Sequence, residues 1–363
     1  MIEKDLIIIG GGPAGLKAAK SALDSGSSVL IIERNSELGG QLIKQTHKFF
    51  GSEKQYAKTR GFDIAHILIS ELAPYKERLE IELDTTVVGL YKDHVVTTLK
   101  DDSYQKYHAK AIIVATGASE KVLAFENNDL PGIYGAGAVQ TLMNLYRVLP
   151  GKEVVMIGSG NIGLIVSYQL MQAGVVVKAV IEAAPTIGGY KVHASKLRRL
   201  GVPILTSTTI KKAFGTDQLE KIEIVSIDKN WKEISGSERI IFTDTLCVSV
   251  GLSPMHQLLS MAEIKMHCIN ELGGLVPSIS DFHETSMEKV FVCGDVIGVE
   301  EASSAMVEGA LIGLVAAERI GYVHPKLTEL KTDYLMQLDA LRSGPFGKKS
   351  RIGLDRLKVS EHA

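Results

Sequence analysis

Two glycine-rich stretches about 148 residues apart carry the residue types and spacing that hold a dinucleotide. The first has Gly10, Gly12 and Gly15 after the apolar residues 6 to 9, with Glu33 closing the apolar residues 29 to 32. The second has Gly158, Gly160 and Gly163 after residues 154 to 157, with Glu182 closing residues 177 to 181. Each copy then reaches a Gly-Gly pair, Gly39-Gly40 and Gly188-Gly189. A lone Gly-x-Gly-x-x-Gly is weak, but here each follows a run of strand length, opens a helical pattern and meets a carboxylate about twenty residues on. The pattern predicts two dinucleotides, or one dinucleotide and a related nucleotide, on one chain.

The chemistry needs these residues for stated reasons. Gly10 and Gly158 permit the tight turn out of a strand, Gly12 and Gly160 admit a pyrophosphate to the backbone N–H groups, and Gly15 and Gly163 let helix pack on strand. The diphosphate is expected at a helix N-terminus, around Pro13 and Ala14 in one copy and Asn161 and Ile162 in the other. Glu33 and Glu182 fall where a carboxylate accepts hydrogen bonds from a ribose diol.

The elements that position them follow from periodicity and turn residues. Residues 5 to 33 read as strand, helix, strand, with Gly26 closing the helix. A helix is expected over 62 to 72, and strands over 79 to 83, 87 to 91, 94 to 99 and 111 to 115, the last running into Thr116-Gly117. Pro131-Gly132 and Pro150-Gly151 bracket a helical segment. The second unit continues with a helix to 172, a Gly174 cap and strands near 203 to 205, 221 to 227 and 245 to 250. Residues 290 to 293 form another strand, ending in Gly294-Asp295 and followed by a small-residue helix from about 302 to 320. That piece has no fingerprint of its own and is expected to complete the first sheet. The domains are therefore read as 1–121 plus 252–325, with 122–251 inserted and 326–363 as a tail. The tail's basic run, 344 to 351 with Arg356 and Lys358, reads as a solvated, partly mobile terminus, the alternative being a segment that docks to a partner.

The 363 residues suggest about two domains, and 45% hydrophobic content is ample for two cores. A net charge of −2 gives no electrostatic case for nucleic acid or an anionic membrane. The three cysteines, Cys247, Cys268 and Cys293, stand singly with no metal spacing, so no metal is expected and a reducing, cytoplasmic setting fits. A first strand beginning by Asp5 leaves the expectation of no signal peptide, and no apolar run reaches bilayer length.

With these motifs in order, the chain resembles the two-dinucleotide-binding-domain flavoproteins, the group of thioredoxin reductase, glutathione reductase and ferredoxin reductases. The likeness spans roughly residues 5 to 322 and rests on the first fingerprint with Glu33, on Gly39-Gly40-Gln41, on Ala115-Thr116-Gly117, on the second fingerprint and on Gly294-Asp295. It implies an α/β fold of two Rossmann-like, three-layer domains, the second inserted in the first. It also implies FAD on Gly10, Gly12, Pro13, Ala14, Gly15, Glu33, Arg34, Gly40, Gln41, Thr116, Gly117, Gly294, Asp295 and Ala302. A nicotinamide nucleotide is implied on Gly158, Gly160, Asn161, Ile162, Gly163 and Glu182. More narrowly, residues 130 to 142, Pro150-Gly151-Lys152 and Gly158-Ser159-Gly160 look like the nucleotide-binding subunits of hydrogen cyanide synthase, opine oxidase and dye-linked proline dehydrogenase and the matching part of sarcosine oxidase alpha. In those complexes a second flavoprotein subunit oxidises an amine, which implies such a partner here. The pattern departs from thioredoxin reductase and glutathione reductase in having no redox cysteine pair, either before the second fingerprint or in residues 34 to 60.

Without that disulfide, the resemblance implies hydride exchange between nicotinamide and flavin, with the protein supplying position and field. Lys44, His47 and Lys48 follow Gly-Gly and are the candidates for the flavin's active face, where a cation favours negative charge on the reduced ring and can deliver a proton. The alternative is a surface loop anchored by Phe49 and Phe50. Gly309 and Gly313 read as helix packing, His193 as an exposed helix residue, and Cys293 and Cys247 as small core fillers. Glu182, followed by Ala183-Ala184 rather than arginines, favours NADH over NADPH, although Lys191 keeps NADPH open. The readings left are an electron-passing subunit of a larger complex, a free-standing NAD(P)H-dependent reductase of a small acceptor, and a non-catalytic nucleotide-binding subunit.

Overall fold

The computed structural model describes residues 1–344 and 347–361, with side chains to 357. Pro345 and Phe346 of the basic terminal run, and the Lys358 side chain, lie outside the described residues. The chain divides into two compact units, Met1–Ser119 with Leu252–Ala363, and Glu120–Gly251.

The elements that position the site residues are, in chain order, β1 (Ile2–Ile9), α1 (Pro13–Asp24), β2 (Val29–Ile32), β3 (Ser103–Val114), β4 (Glu153–Ile157), α2 (Asn161–Gln172), β5 (Val176–Ile181) and β6 (Thr245–Val248). They are followed by β7 (Val290–Val292), α3 (Ala302–Arg319), α4 (Leu327–Ser343) and α5 (Lys348–Glu361).

Strands buried on both faces of a parallel sheet read as continuous apolar runs, and the carboxyl halves of β1 and β3 are such runs. In the first unit the order is Leu79–Glu82, β2, β1, β3, then Val95–Lys100 and Thr86–Leu90 antiparallel. β7 pairs in parallel with the carboxyl half of β3. Register places Ile9 opposite both Ile32 and Val114, and Val114 opposite Val292. The residues that leave these strands, Gly10, Glu33, Ala115 and Cys293, therefore stand in one row at the carboxyl edge, where the order reverses between β1 and β3 and open sheets bind ligands. β3 is longer than the expected 111 to 115, because its polar first half pairs with the antiparallel Val95–Lys100 and carries no apolar run.

The second unit repeats the arrangement in a sheet ordered Ile204–Leu205, β5, β4, β6 and Ile133–Gly135, all parallel. Ile157 lies opposite Ile181 and Val248, so Gly158, Glu182 and Ser249 share a row. A separate antiparallel sheet of Thr208–Phe214, Lys221–Ser226 and Arg239–Phe242 completes the unit.

α3 packs backbone against backbone on α1. A Cβ built on Gly309 would lie 2.0 Å from the Ala14 carbonyl oxygen, and one on Gly313 would lie 2.1 Å from that of Ala18. Helix contact explains both glycines. Phe291, Leu16, Leu311 and Ile312 fill the core between these helices and the sheet.

The tail read as separate, 326–363, clusters instead with the first unit. α4 buries Leu338 and sends Arg342 to Glu300 and Glu308, while α5 buries Leu357. Its apolar signal is sparse because α4 buries a single side chain fully, so periodicity alone does not mark it as docked. Among the described residues, no helix is long and apolar enough to cross a membrane.

Gly313→Ala is expected to cost about 1–3 kcal/mol, since overpacking between rigid backbones cannot be relieved by a side-chain rotation. Urea unfolding measures this, and an unchanged midpoint would show that α1 and α3 part freely.

Candidate nucleotide-binding sites

The first site begins where β1 gives way to α1. Gly10 has φ of 110°, and a Cβ there would lie 2.4 Å from the Ala115 carbonyl oxygen. A Cβ on Gly15 would lie 1.9 Å from the Gly10 carbonyl oxygen. Gly12, by contrast, meets only the Gly40 Cα at 3.9 Å, so the space over the helix end is open. Gly12 is the N-cap and gives no side-chain cap, Pro13 occupies the first turn, and the Leu16 N–H donates to the Gly12 carbonyl at 2.9 Å. The N–H groups ahead of that bond are left for an external acceptor, at the positive end of the helix.

Glu33 is buried, and its carboxylate is held by backbone. Oε2 accepts from the Gly11 N–H at 2.8 Å, and Oε1 accepts from the Asn35 N–H at 2.9 Å and the Asn35 side-chain amide at 2.8 Å. Each carboxylate oxygen offers two lone pairs, so room remains for ribose hydroxyls. Arg34 is exposed beside it. Gly39 donates to the Gly11 carbonyl at 2.8 Å, and a Cβ on Gly40 would meet the Gly12 Cα at 2.8 Å. The first Gly-Gly thus lies across the fingerprint, with Gln41 exposed at its end. Thr116 spends its hydroxyl on the Met255 carbonyl at 2.8 Å, and Gly117, with φ of 75°, has open space on its side-chain side. These open glycines and unbonded helix N–H groups fit a dinucleotide diphosphate.

The second site is wired alike. Gly158 would place a Cβ 2.1 Å from the Ser249 carbonyl oxygen, Gly163 one 2.3 Å from that of Gly158, and Gly160 faces open space. Glu182 Oε2 accepts from the Ser159 N–H at 2.9 Å and from the Ser159 hydroxyl at 2.5 Å, while Oε1 accepts from the Ala184 N–H at 2.8 Å. Asn161 Oδ1 accepts the Tyr190 N–H at 2.8 Å, which ties Gly188-Gly189 to the start of α2, and Ile162 is exposed there. Sequence reasoning missed Ser159 and Asn35. The signal was available in Ser159, which sits where Gly11 stands in the first copy and supplies a hydroxyl to the same carboxylate position.

Gly294-Asp295 reaches the first cradle from β7. Gly294 has φ of 76°, and a Cβ on it would lie 2.9 Å from that of Ala14 in the first turn of α1. Its N–H donates to Glu308 at 2.9 Å. Burial, with Glu308 and Glu300 close by, pushes the Asp295 carboxyl up to about 7 against the opposing hydrogen bond from the Glu300 N–H. Ala302 opens α3 just beyond. Glu308 and Arg342 were missed by sequence reasoning, although a lone carboxylate inside the otherwise apolar stretch 305–317 was their mark.

Lys44 ends the short helix Gly40–Lys44, and Lys48 is exposed and bridges backbone with Arg60. The His47 ring stacks on Phe49 with centroids 5.8 Å apart. Of the two phenylalanines, Phe49 packs against the core and Phe50 is 59% exposed. His193 is half-buried rather than exposed, lying edge-on to Tyr190, and burial together with Lys196 lowers its basicity. Cys247 and Cys293 are buried and their thiols are pushed far up by desolvation, so neither is a nucleophile; Cys268 is exposed.

The family model for pyridine nucleotide-disulphide oxidoreductases matches residues 4–309. The alpha chain of sarcosine oxidase from Corynebacterium sp. (strain P-1) is 26% identical over 336 residues, covering 88% of this chain and 33% of that protein. An opine oxidase subunit of Agrobacterium tumefaciens (strain Ach5) is 24% identical over 359 residues, covering 94% of this chain and 71% of that protein. The chain therefore spans about a third of the sarcosine oxidase relative's length. Thioredoxin reductase of T. acidophilum shares the fold with a TM-score of 0.71 at 22% identity, covering 88% of this chain and 99% of that one.

Asp295 generates a pH prediction. Its folded-state affinity for protons exceeds that of an unfolded aspartate, so ionisation costs stability, from nothing below about pH 4 to the full amount above about pH 7. Asp295→Asn in the protein stripped of nucleotide is expected to raise stability by about 1–3 kcal/mol at pH 8 and by nothing at pH 4. Thermal melts at the two pH values check this, and an equal effect at both would contradict it.

Proposed function

The chain belongs to the pyridine nucleotide-disulphide oxidoreductase family, and on that premise we propose that it is an FAD-dependent oxidoreductase whose first unit holds FAD and whose second holds NAD(H). We further propose that electrons pass through the flavin between the nicotinamide and a partner subunit that oxidises an amine or amino acid. The observation that carries the reading is the repeated cradle, in which Glu33 and Glu182 each accept backbone N–H groups from the fingerprint and from two residues downstream.

Held on the first cradle, FAD would supply the hydride and electron chemistry that the side chains themselves lack. The chain's own residues do the rest. The first turns of α1 and α2 receive the two diphosphates, and Glu33 and Glu182 receive the ribose hydroxyls. Asp295 sits against the first cradle, where it accepts from hydroxyls of the flavin's sugar chain. α3 begins at Ala302 with its N-terminal N–H groups at the same edge, a placement that stabilises negative charge on a reduced ring. Lys44 and His47 are the proposed proton carriers at that face. With both buried cysteines inert, electrons have no dithiol to visit on this chain.

The amine-oxidising partner is supported by the relatives, which are named as subunits of sarcosine and opine oxidases, sarcosine itself being a secondary amine. NADH is favoured over NADPH because the Glu182 carboxylate, fixed by three donors, repels a 2′-phosphate.

Anaerobic titration of the purified yellow protein tests the reading. NADH is expected to bleach the flavin band at about 450 nm. Bleaching followed by steady turnover with a quinone or oxygen would favour a free-standing reductase instead, and a flavin that stays oxidised with NADH bound would make the second unit a structural nucleotide site. Glu182→Gln is expected to cut the NADH-to-NADPH preference in kcat/KM by about tenfold or more, since the repulsion goes while an acceptor remains. An unchanged ratio would remove Glu182 from cofactor choice.

A further inference from the structure

Beside the first cradle, one cation serves a cluster of carboxylates that come from a loop and the helix after it. Arg342 on α4 donates through Nε to Glu300 Oε1 at 3.0 Å and through Nη2 to Glu308 Oε1. The three side chains are 12%, 10% and 4% exposed, Arg342 first. Glu308 accepts the Gly294 N–H on its other oxygen, and the Glu300 N–H reaches Asp295 Oδ1 at 3.3 Å. Arg342 therefore grips the loop between β7 and α3 at both ends, at Gly294 through Glu308 and at Glu300 directly. Gly294 in turn rests on Ala14, in the turn of α1 that opens the diphosphate cradle.

The charges around this point are unbalanced. Asp295 and Glu300 come from the loop, Glu308 from α3, and the exposed Glu301 stands at the N-cap position of α3 without a side-chain capping bond. The first turn of α1 has no charged side chain, and the residue after β7 is the neutral Cys293. On α5, Arg351 spends a guanidinium N–H on the Arg342 carbonyl. Burial and Glu308 raise the Glu300 carboxyl, while Arg342 opposes both. Losing one partner of a buried ionic cluster leaves uncompensated charge in a poorly screened place.

We propose that Arg342 is a positioning residue for FAD: from α4 it holds the loop 294–300 against α1 and offsets the carboxylates that otherwise repel the flavin's diphosphate. The proposal rests on the assignment of FAD to the first unit. Arg342 touches no ligand itself and acts through Glu308, Glu300 and the loop they fix.

The test is calorimetric FAD binding to the full-length apoprotein as wild type, Arg342→Gln and Arg342→Lys, at about pH 8 and about pH 5.5. Arg342→Gln is expected to weaken FAD by about 10- to 100-fold at the higher pH, with most of the loss recovered at the lower pH as the carboxylates take up protons. Arg342→Lys keeps the charge without the two-pronged fork and is expected to fall between. A purely structural role predicts a loss equal at both pH values. That result, or an Arg342→Gln affinity within about twofold of wild type at pH 8, overturns the proposal. Should circular dichroism show Arg342→Gln unfolded, Arg342→Lys decides: a pH-dependent loss beyond about twofold supports the proposal and its absence overturns it. Wild-type protein that binds no FAD overturns the assignment of FAD and the proposal with it, whereas wild-type binding with unaffected variants overturns the proposal alone.

Discussion

No side chain fits between the end of β1 and the start of α1, and the first site depends on that contact. Gly10 lies against the Ala115 carbonyl and Gly15 against the Gly10 carbonyl, so the strand, the helix and the neighbouring strand meet through backbone alone. The approach brings the N-terminus of α1 to the sheet edge with its N–H groups facing outward. It also sets the height of α1 for α3, whose Gly309 and Gly313 let a second helix close on the first without side chains between them. α3 then fixes where the 294–300 loop and Asp295 stand. The second unit meets the same limit at Gly158 and Ser249.

Charge is the second organising term, and it works against stability. Glu33 and Glu182 are carboxylates in protected positions, made tolerable by backbone N–H groups and, for Glu182, by the Ser159 hydroxyl. Asp295 is less well compensated, since it has a single N–H donor and two neighbouring carboxylates. A carboxylate kept under strain at the mouth of a cradle is a common cost of function, because the groups that bind a ligand are left partly unmet without it. The ion cluster of Arg342 is where the C-terminal helices enter this balance.

Much of this was legible in the sequence because glycine positions and strand-ending carboxylates report backbone constraints directly. The fingerprints, Thr116-Gly117 and Gly294-Asp295 fall at carboxyl ends of parallel strands, the Gly-Gly pairs fold back across the fingerprints, and register explains why residues as far apart as Gly10 and Cys293 share a row. What escaped was of another kind. The first half of β3 is polar and gains its place from antiparallel partners, so no periodicity marks it. α4 and α5 are held by few apolar contacts and by an ion cluster, which composition reads as a solvated tail. The half-burial of His193 and the exposure of Phe50 depend on neighbours that spacing does not specify.

With flavin in the first unit and nicotinamide in the second, one cradle used twice would divide its labour. A crystal structure of the protein with FAD and NAD+ bound tests it most directly. The FAD diphosphate is expected on the first turn of α1 with its adenosine ribose on Glu33, and the NAD+ diphosphate on the first turn of α2 with its adenosine ribose on Glu182. FAD seated on α2, or a second unit that takes no nucleotide at saturating NAD+, would contradict it.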